Sequence, residues 1–542
     1  MTLAYSYPAA GTVRTTAPQI IELYQKASVY LEHPCLWEGM IRLACLIKNK
    51  PTEEPVAQLI LCAIADTDNG SFNGCFSDQI SIARAALALF EYNTDRKILK
   101  RLSEWIRYVE IEYDTLILQG SVLYRPADLM EMLVRFYQSS GVKAALRLSA
   151  KLRTDAFDWT TALHTFQQII PLKYEEQKNR YYFPTCKPCE IDYDEKEALM
   201  NHAEALADGV RYALFSGLFS GHNRDLTAGK TVWSHLIKHH HALCGGTTGA
   251  PFLCGNAPDR HVSNVVIASW TEAFAAQMVL PDSDWAVEEI VRIVFNGLSE
   301  CLKHPDAGYQ LVNSIREIND PPEDYYWHYA RITRAIATAC SHAISQTEKG
   351  IQINYLIPGK YLFKIHKQPF IIETDLLSAS FLCRQPVASE VDILIPPIST
   401  CSVCVTNNSK TIIAKHQDQL SSPVYRIHTD TIWNNKDLIR LEPDETFICE
   451  ETHHQGCAFM RSNRLMCMSA GESSFAKAVC GSPVLKGGLL TVPTVPTEKW
   501  NTREGQPDDI PVLPGKTGIT SMTELKPYSE TPLRIAVFPK TR

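Results

Sequence analysis

Between residues 18 and 347 apolar side chains recur with the period of an α-helix almost without a break, and this limits the fold more than any other feature of the chain. Val287, Ile290, Val291, Val294 and Leu298 fall at i, i+3, i+4, i+7 and i+11; Leu129, Leu133, Phe136 and Tyr137 obey the same rule. Similar runs occupy about 18–31, 36–48, 54–66, 78–93, 95–112, 126–139, 142–152, 195–220, 228–241, 264–280, 284–303 and 328–346. No convincing strand pattern separates them. Amphipathic helices in such number must find partners on both sides, which predicts helical hairpins closed into an (α/α)6 toroid. Periodicity alone also allows an open superhelix.

After Glu348 the pattern changes to short alternating or β-branched runs, IQINYLI, PFIIETDLL, EVDILIPP, SVCVTN, TIIAKH and DLIRLEP, broken by Pro, Asn and Asp. These predict a β-sandwich. The Pro- and Gly-rich stretch from Thr491 to Gly518 reads as a long loop, and PLRIAVFP as a closing strand. The expected organisation is therefore mainly α and multidomain: a helical domain over 1–348, a β-sandwich over 349–445, and a β-rich segment with the long loop over 446–542. Residues before 18 read equally as an added strand or a loose end. A chain of 542 residues exceeds what one core serves, in keeping with two or three domains.

Net charge is −7 and the basic residues are scattered, which argues against a nucleic-acid surface. No run of about 18 apolar residues could cross a bilayer, and MTLAYSYPAAGTVRTT lacks the basic start and apolar core of a secretory signal. A cytoplasmic protein without membrane partners is expected, acting on a small molecule; its oligomeric state is open. The 17 cysteines are an odd number spread over a long chain, unlike a disulfide framework. Cys45, Cys62, Cys301 and Cys340 sit in apolar helical runs and read as small hydrophobes. Cys186/Cys189 and Cys401/Cys404 each have half-zinc-site spacing, but they fall in different predicted domains and lack a redox context, so ordinary cysteines are the preferred reading.

Several motifs carry a likeness. The segment from Trp233 to Leu298 opens WSHLIKHHHALCGGTTGAPFLCGNAPDRHVSN and continues into SWTEAFAAQMVL and DSDWAVEEIVRIVFNGLSECL. NHAEALADGVRYALFSGLFSG precedes it and AGYQLVNSI follows. With WEGMIRLACLI, TDNGSF, LYRPADLMEMLVRFYQSSG, LRLSAKLRTDAFDW, CGSPVLKG and LKPYSETPLRIAVF, the order and spacing resemble glycoside hydrolase family 127, the β-L-arabinofuranosidase-like proteins. Each motif alone is weak; together they span most of the chain. The resemblance implies a six-hairpin helical toroid with a sugar-type pocket in its mouth, followed by β-sandwich modules. It also implies retaining chemistry by a cysteine thiolate held on zinc by other cysteines and a glutamate, with a second glutamate as acid/base.

The residues for that chemistry are missing. The acid/base position falls at Ala250 or Pro251, and the zinc-binding Glu-x-Cys near Val265, Val266, Ile267 and Ala268. The paired cysteines fall at Glu323 and Asp324, or at Trp327 and His328. A compensating zinc site from Cys244 and Cys254 with His239, His240 or His241 is the alternative to a metal-free protein. Adjacent helical residues diverge by roughly 100°, so at most one or two of these histidines could serve one ion. No metal and no cofactor is the favoured expectation.

A pocket in the family position draws on Glu323, Asp324 and Asp128 as working carboxylates. Substrate contacts are expected from His202, His240, Asp259, Arg260, His261, Tyr326, Trp327 and His328, with Tyr325 in the same cluster. Aromatic faces stack on sugar rings, and a carboxyl whose pKa is raised by burial can act as acid, base or nucleophile. The plain alternatives are a helix-dipole role for Asp128, packing for His202, and an aromatic helix start capped by Asp324. The leading functional expectation is a glycosidase-like enzyme acting on a small glycoside or other polyhydroxylated or natural-product substrate through carboxylates. The alternatives are an isomerase, cyclase or lyase of a biosynthetic pathway, and a catalytically silent binding protein.

Overall fold

The structure, a computed structural model, describes residues 12–14, 17–47, 54–65, 69–117, 121–167, 193–249, 251–258, 260–313, 322, 324–347, 350–365, 368–383, 385–395, 401–407, 410–414, 425–443, 447–452, 456–469, 477–496, 519–531 and 534–538. Six helices make its centre: α1 (Trp37–Ile47), α2 (Phe76–Asn93), α3 (Ala127–Ser140), α4 (Ala203–Ser220), α5 (Asn264–Gln277) and α6 (Tyr325–His342). Each packs on the next in this order, and α6 packs back on α1. The first three run in one direction: Arg84 and Glu91 of α2 meet Glu38 and Arg42 of α1, and Asp128 and Arg135 of α3, in the same sequence order.

Burial separates these helices from those around them. Every residue of α4 from Ala203 to Phe219 is buried, as is nearly all of α5, the mark of a helix walled on all sides. The neighbouring helix Arg96–Ile111 buries one stripe only, Ile98, Leu102, Trp105, Ile106 and Val109. Closure between α1 and α6 depends on Gly39, where an added Cβ would lie 2.0 Å from Thr333 Oγ1. Two inner helices stop at glycines with positive φ, α3 at Gly141 (+69°) and α4 at Gly221 (+76°).

The helical expectation matches the observed elements with local corrections. The run 195–220 is two helices, Tyr193–Asn201 and α4, divided at His202. The run 284–303 contains a π-helical turn at Ile293–Gly297, where Asn296 Nδ2 donates to Arg292 O and Asn463 O. A short helix, Trp159–His164, and a strand pair, His261–Ser263 with Tyr309–Leu311, had no recognised signal.

The continuous β region begins at Ile344, two residues after α6. One seven-stranded sheet runs in the order Thr12–Arg14, Gly359–Ile365, Gln368–Thr374, Ser378–Cys383, Leu438–Pro443, Cys401–Asn407, Lys410–Ala414. The strand Thr12–Arg14 is thus an edge of the β region, so the residues before 18 include an added strand; residues 1–11 lie outside the described residues. A four-stranded sheet, Tyr425–Trp433, Val387–Ile395, Gly350–Ile353, Ile344–Gln346, faces it, with Trp433 stacked on Phe381 at 4.1 Å between ring centres. The helical core and this pair of sheets share one apolar cluster.

The third sheet, of eight strands within Ile448–Ile535, has a separate core around Phe459, Val492 and Phe538. Met460, Leu465 and Val537 of this region join the helical apolar cluster, and polar contacts add to them: Arg292 Nη2 to Glu450 Oε1 at 2.7 Å, Arg534 Nη1 to Glu300 Oε1 at 2.6 Å, and Asn313 Oδ1 accepting from Ala536 and Val537 N–H. The reading of Thr491 onward as loop is corrected at its start. Leu489–Pro496 is a strand, because Leu490, Val492 and Val495 bury their side chains while Pro493 still offers its carbonyl to Cys480 N–H. Residues 497–518 lie outside the described residues. Among the described residues no helix is long and apolar enough to cross a membrane.

Candidate functional site

The axis of the six-helix cycle is filled with charge. On α6, Trp327, Arg331, Arg334, Thr338 and His342 repeat at spacings of four, three, four and four, which places them on one helix face. Glu204, Asp208 and Arg211 of α4 do the same, as do Asp128, Glu131 and Arg135 of α3. With Glu38, Arg42, Arg84, Glu91, Arg125 and Glu272, these stripes interlock.

Arg84 Nε meets Glu38 Oε2 at 2.6 Å, and its Nη1 meets Asp128 Oδ1 at 3.0 Å. Arg334 holds Glu272 with two bonds of 2.9 and 2.8 Å and reaches Asp128 Oδ2 at 3.3 Å. Arg331 bridges Glu204 at 2.7 Å and Asp208 at 2.9 Å, a pair that Arg125 also spans. Arg211 joins Asp128 to Glu272. Seven arginines thus face seven carboxylates.

Burial alone would raise the pKa of Asp128, but Arg334, Arg84 and Arg211 more than offset it and hold the carboxyl well below its usual range. Glu38, Glu131, Glu204 and Asp208 are likewise depressed: desolvation opposes ionisation and the surrounding guanidinium groups prevail. A carboxylate held this way stays charged at neutral pH and has no proton to give.

The sequence-derived candidates at the N-terminal mouth of the cycle separate from one another. Asp128 lies in the first turn of α3, inside the arginine lattice. Asp324 is the N-cap of α6, its Oδ1 accepting from Trp327 N–H at 3.4 Å. Tyr325 and Tyr326 turn away from the axis, Tyr325 onto Tyr30 and Tyr326 onto His33 at 3.9 Å between ring centres. Trp327 alone of the cluster shares the axial face, with the Arg331 guanidinium 4.7 Å from its ring centre. His328 is buried and directed at the Pro305 carbonyl, 2.9 Å from Nε2; burial lowers its pKa.

His202 caps α4, its Nδ1 accepting from Ala205 N–H at 3.2 Å, and burial together with Arg125 pushes it down to about 4. His240 is fully buried and accepts from Gly255 N–H through Nδ1 at 3.1 Å, while His241 pairs with Glu289 at 3.2 Å. The divergence expected of the histidine run is what the contacts display. His261 is exposed and stacks on Tyr309, and Arg260 N–H closes a turn to Ala257 O. Glu323 and Asp259 lie outside the described residues, as do Cys186, Cys189 and Ala250. The structure therefore brings Asp128 and Trp327 toward one axis and sends the other described candidates to separate local partners.

The loop from His240 to Val262 is held by local bonds. Thr248 N–H reaches His240 O, Trp270 Nε1 reaches Thr247 Oγ1, and Ala203 N–H reaches Pro251 O. Gly245 turns at φ +102°, where a Cβ would sit 2.7 Å from Ile293 N. Cys244 packs toward Tyr528 and Arg534, and burial pushes its thiol up to about 12, whereas Cys254 bonds to His261 O. Among the described residues no three His, Cys, Asp or Glu side chains converge to hold a metal ion. The lattice arginines and Glu204, Asp208 and Glu272 were missed in the sequence. Their signal was present as charged residues at helical spacing inside otherwise apolar runs.

This architecture, a cycle of six helices followed by mainly antiparallel sheets, is similar in fold to solved family 127 glycoside hydrolases. The chain is similar over 100% of its length to a solved glycoside hydrolase, 98% of which it covers, at 12% identity and a TM-score of 0.71. It is similar over 96% to a GH127 β-L-arabinofuranosidase from Geobacillus stearothermophilus T6 (91% of that chain, 13% identity, TM-score 0.67). A further GH127 β-arabinofuranosidase matches 100% of the chain and 99% of its own length (12% identity, TM-score 0.66). No family model and no curated protein matches the sequence. At these identities the likeness establishes a shared fold, not a shared activity.

Proposed function

We propose that this chain is a glycosidase-fold binding protein, an (α/α)6 toroid whose mouth takes a small polyhydroxylated molecule without hydrolysing it by a zinc–thiolate route. The closed cycle of six helices supports the toroid reading. The observation that carries the functional reading is the pairing of the axial carboxylates: Glu38, Asp128, Glu131, Glu204 and Asp208 are all held ionised by arginine, so none serves as the acid that glycoside cleavage requires. Trp327, half-buried at the mouth end of the same face, offers a ring for stacking.

A carboxylate-based hydrolase is the second reading. It is favoured by Asp324, half-buried beside Tyr326 and preceded directly by Glu323. Titration calorimetry with L-arabinose and aryl β-L-arabinofuranosides, run beside a cleavage assay, separates the two. Binding without turnover, weakened by Trp327→Ala, is the expected result; turnover lost in Glu323→Gln or Asp324→Asn establishes the hydrolase.

A further inference from the structure

The opposite end of the helical cycle holds a cavity of about 350 Å³, formed where the C-terminal halves of α2, α3 and α6 splay around the charged axis. Its size lies in the range of small-molecule sites. It is separated from the mouth by the arginine–carboxylate lattice, whose upper members form its floor.

Three properties define what would fit. Charge is balanced only with the carboxylate behind the wall: five lining arginines, Arg42, Arg84, Arg135, Arg211 and Arg334, face Glu38, Glu91, Glu131 and Glu272 in the lining and Asp128 behind it, each arginine in ion-pair contact, so little net field remains to attract an anion. Donors and acceptors are mixed: the arginines and Gln138 donate, Glu91 accepts, and the Thr94, Ser139 and Ser341 hydroxyls, which donate to the Asn93, Arg135 and Ala337 carbonyls, can still accept, while Phe90 and Ala337 supply an apolar patch. Last, Gln138 contributes to the wall and its Nε2 is buried with no hydrogen-bond partner among the described residues. A buried amide donor left unmet is costly, and a ligand oxygen or water in the cavity would satisfy it.

We infer that this cavity is a second binding site, for a neutral polyhydroxylated molecule of monosaccharide size, whose hydroxyls both donate to Glu91 and accept from Gln138 and the arginines while a C–H face rests on Phe90. It is independent of the mouth proposed above.

The test uses the full chain and titration calorimetry with L-arabinose, D-glucose and inorganic phosphate. Two variants address the cavity: Ser139→Trp, at an exposed rim position where a large side chain blocks access without entering the core, and Gln138→Leu, which replaces the amide donor by an apolar side chain of comparable size. Trp327→Ala addresses the other end. Circular dichroism and unfolding curves matching wild type establish that each variant is folded.

The inference predicts a saturable phase of sugar binding that is weakened at least tenfold by Ser139→Trp and by Gln138→Leu and unchanged by Trp327→Ala, beside a separate mouth phase that Trp327→Ala alone weakens. It is overturned by sugar binding that ignores both cavity variants, by phosphate binding in place of sugar, or by no saturable sugar binding, in which case the cavity holds water only. Binding lost only in Trp327→Ala overturns the cavity and leaves the mouth reading intact. Binding lost only in the cavity variants does the reverse.

Discussion

The two ends of the helical cycle use polar residues differently. At the mouth Asp324, His202 and His240 spend their polar atoms on backbone N–H groups, capping α6, capping α4 and pinning the loop to Gly255. At the far end Gln138 lines a cavity with its Nε2 unmet among the described residues, while the Thr94, Ser139 and Ser341 hydroxyls at the cavity donate to the Asn93, Arg135 and Ala337 carbonyls and keep only their acceptor lone pairs. Among the described residues these three mouth candidates act as structure, whereas the far end keeps one buried donor, Gln138 Nε2, without a protein partner. A residue in the position of a catalytic one therefore says little until its hydrogen bonds are counted.

The largest expected effect comes from breaking what divides the two ends. Arg334→Met leaves Glu272 and Asp128 short of a buried partner and should destabilise the fold by about 3–5 kcal/mol. Urea unfolding measures this, and a loss within error of zero would mean the lattice is not a structural partition.

Acid should act first on the buried histidines and then on the axial carboxylates. His202 and His342 are lowered by burial from 6.5 to about 4, so between those values the unfolded chain binds protons that the folded chain refuses. Their stabilising contribution is complete above about pH 6.5 and is lost as pH falls toward 4. The axial carboxylates, depressed below ordinary values of 3.8–4.5, contribute fully above that range and fail only beneath it. Unfolding free energy against pH should fall first gently from about 6.5, then steeply below about 4. A flat profile down to pH 4 would remove the histidines from the account.

Asp324→Ala should cost about 1 kcal/mol through the lost cap, while Asp324→Asn, which still accepts from Trp327 N–H, should be nearly neutral. Equal losses in the two variants would show that the charge of Asp324, and not its capping oxygen, matters.

Much of the architecture was legible because helix period and alternation are local properties. Val287 to Leu298 announced a helix, but the π turn inside it needs Asn296 to reach Asn463, a contact 167 residues away. The strand at Leu489 was hidden by Pro493 and Pro496, whose missing N–H groups argue for a loop until the buried alternation of Leu490 and Val492 is weighed. At the site the sequence exposed what the family's positions had lost. It concealed the lattice, because Arg211, Arg331 and Arg334 acquire meaning only when α4, α5 and α6 bring Asp208 and Glu272 to them. Charged residues at spacings of three and four within AEALADGVRYALF and ARITRAIATAC were the available clue.

The most direct test of the central claim is cleavage of an aryl β-L-arabinofuranoside by the wild-type chain, assayed with and without added zinc beside Glu323→Gln and Asp324→Asn. The account predicts no release above background in any sample, together with intact folding of all three proteins. Release by wild type that disappears in either variant would contradict it and make the mouth a carboxylate active site; release that needs zinc would restore a metal-dependent route.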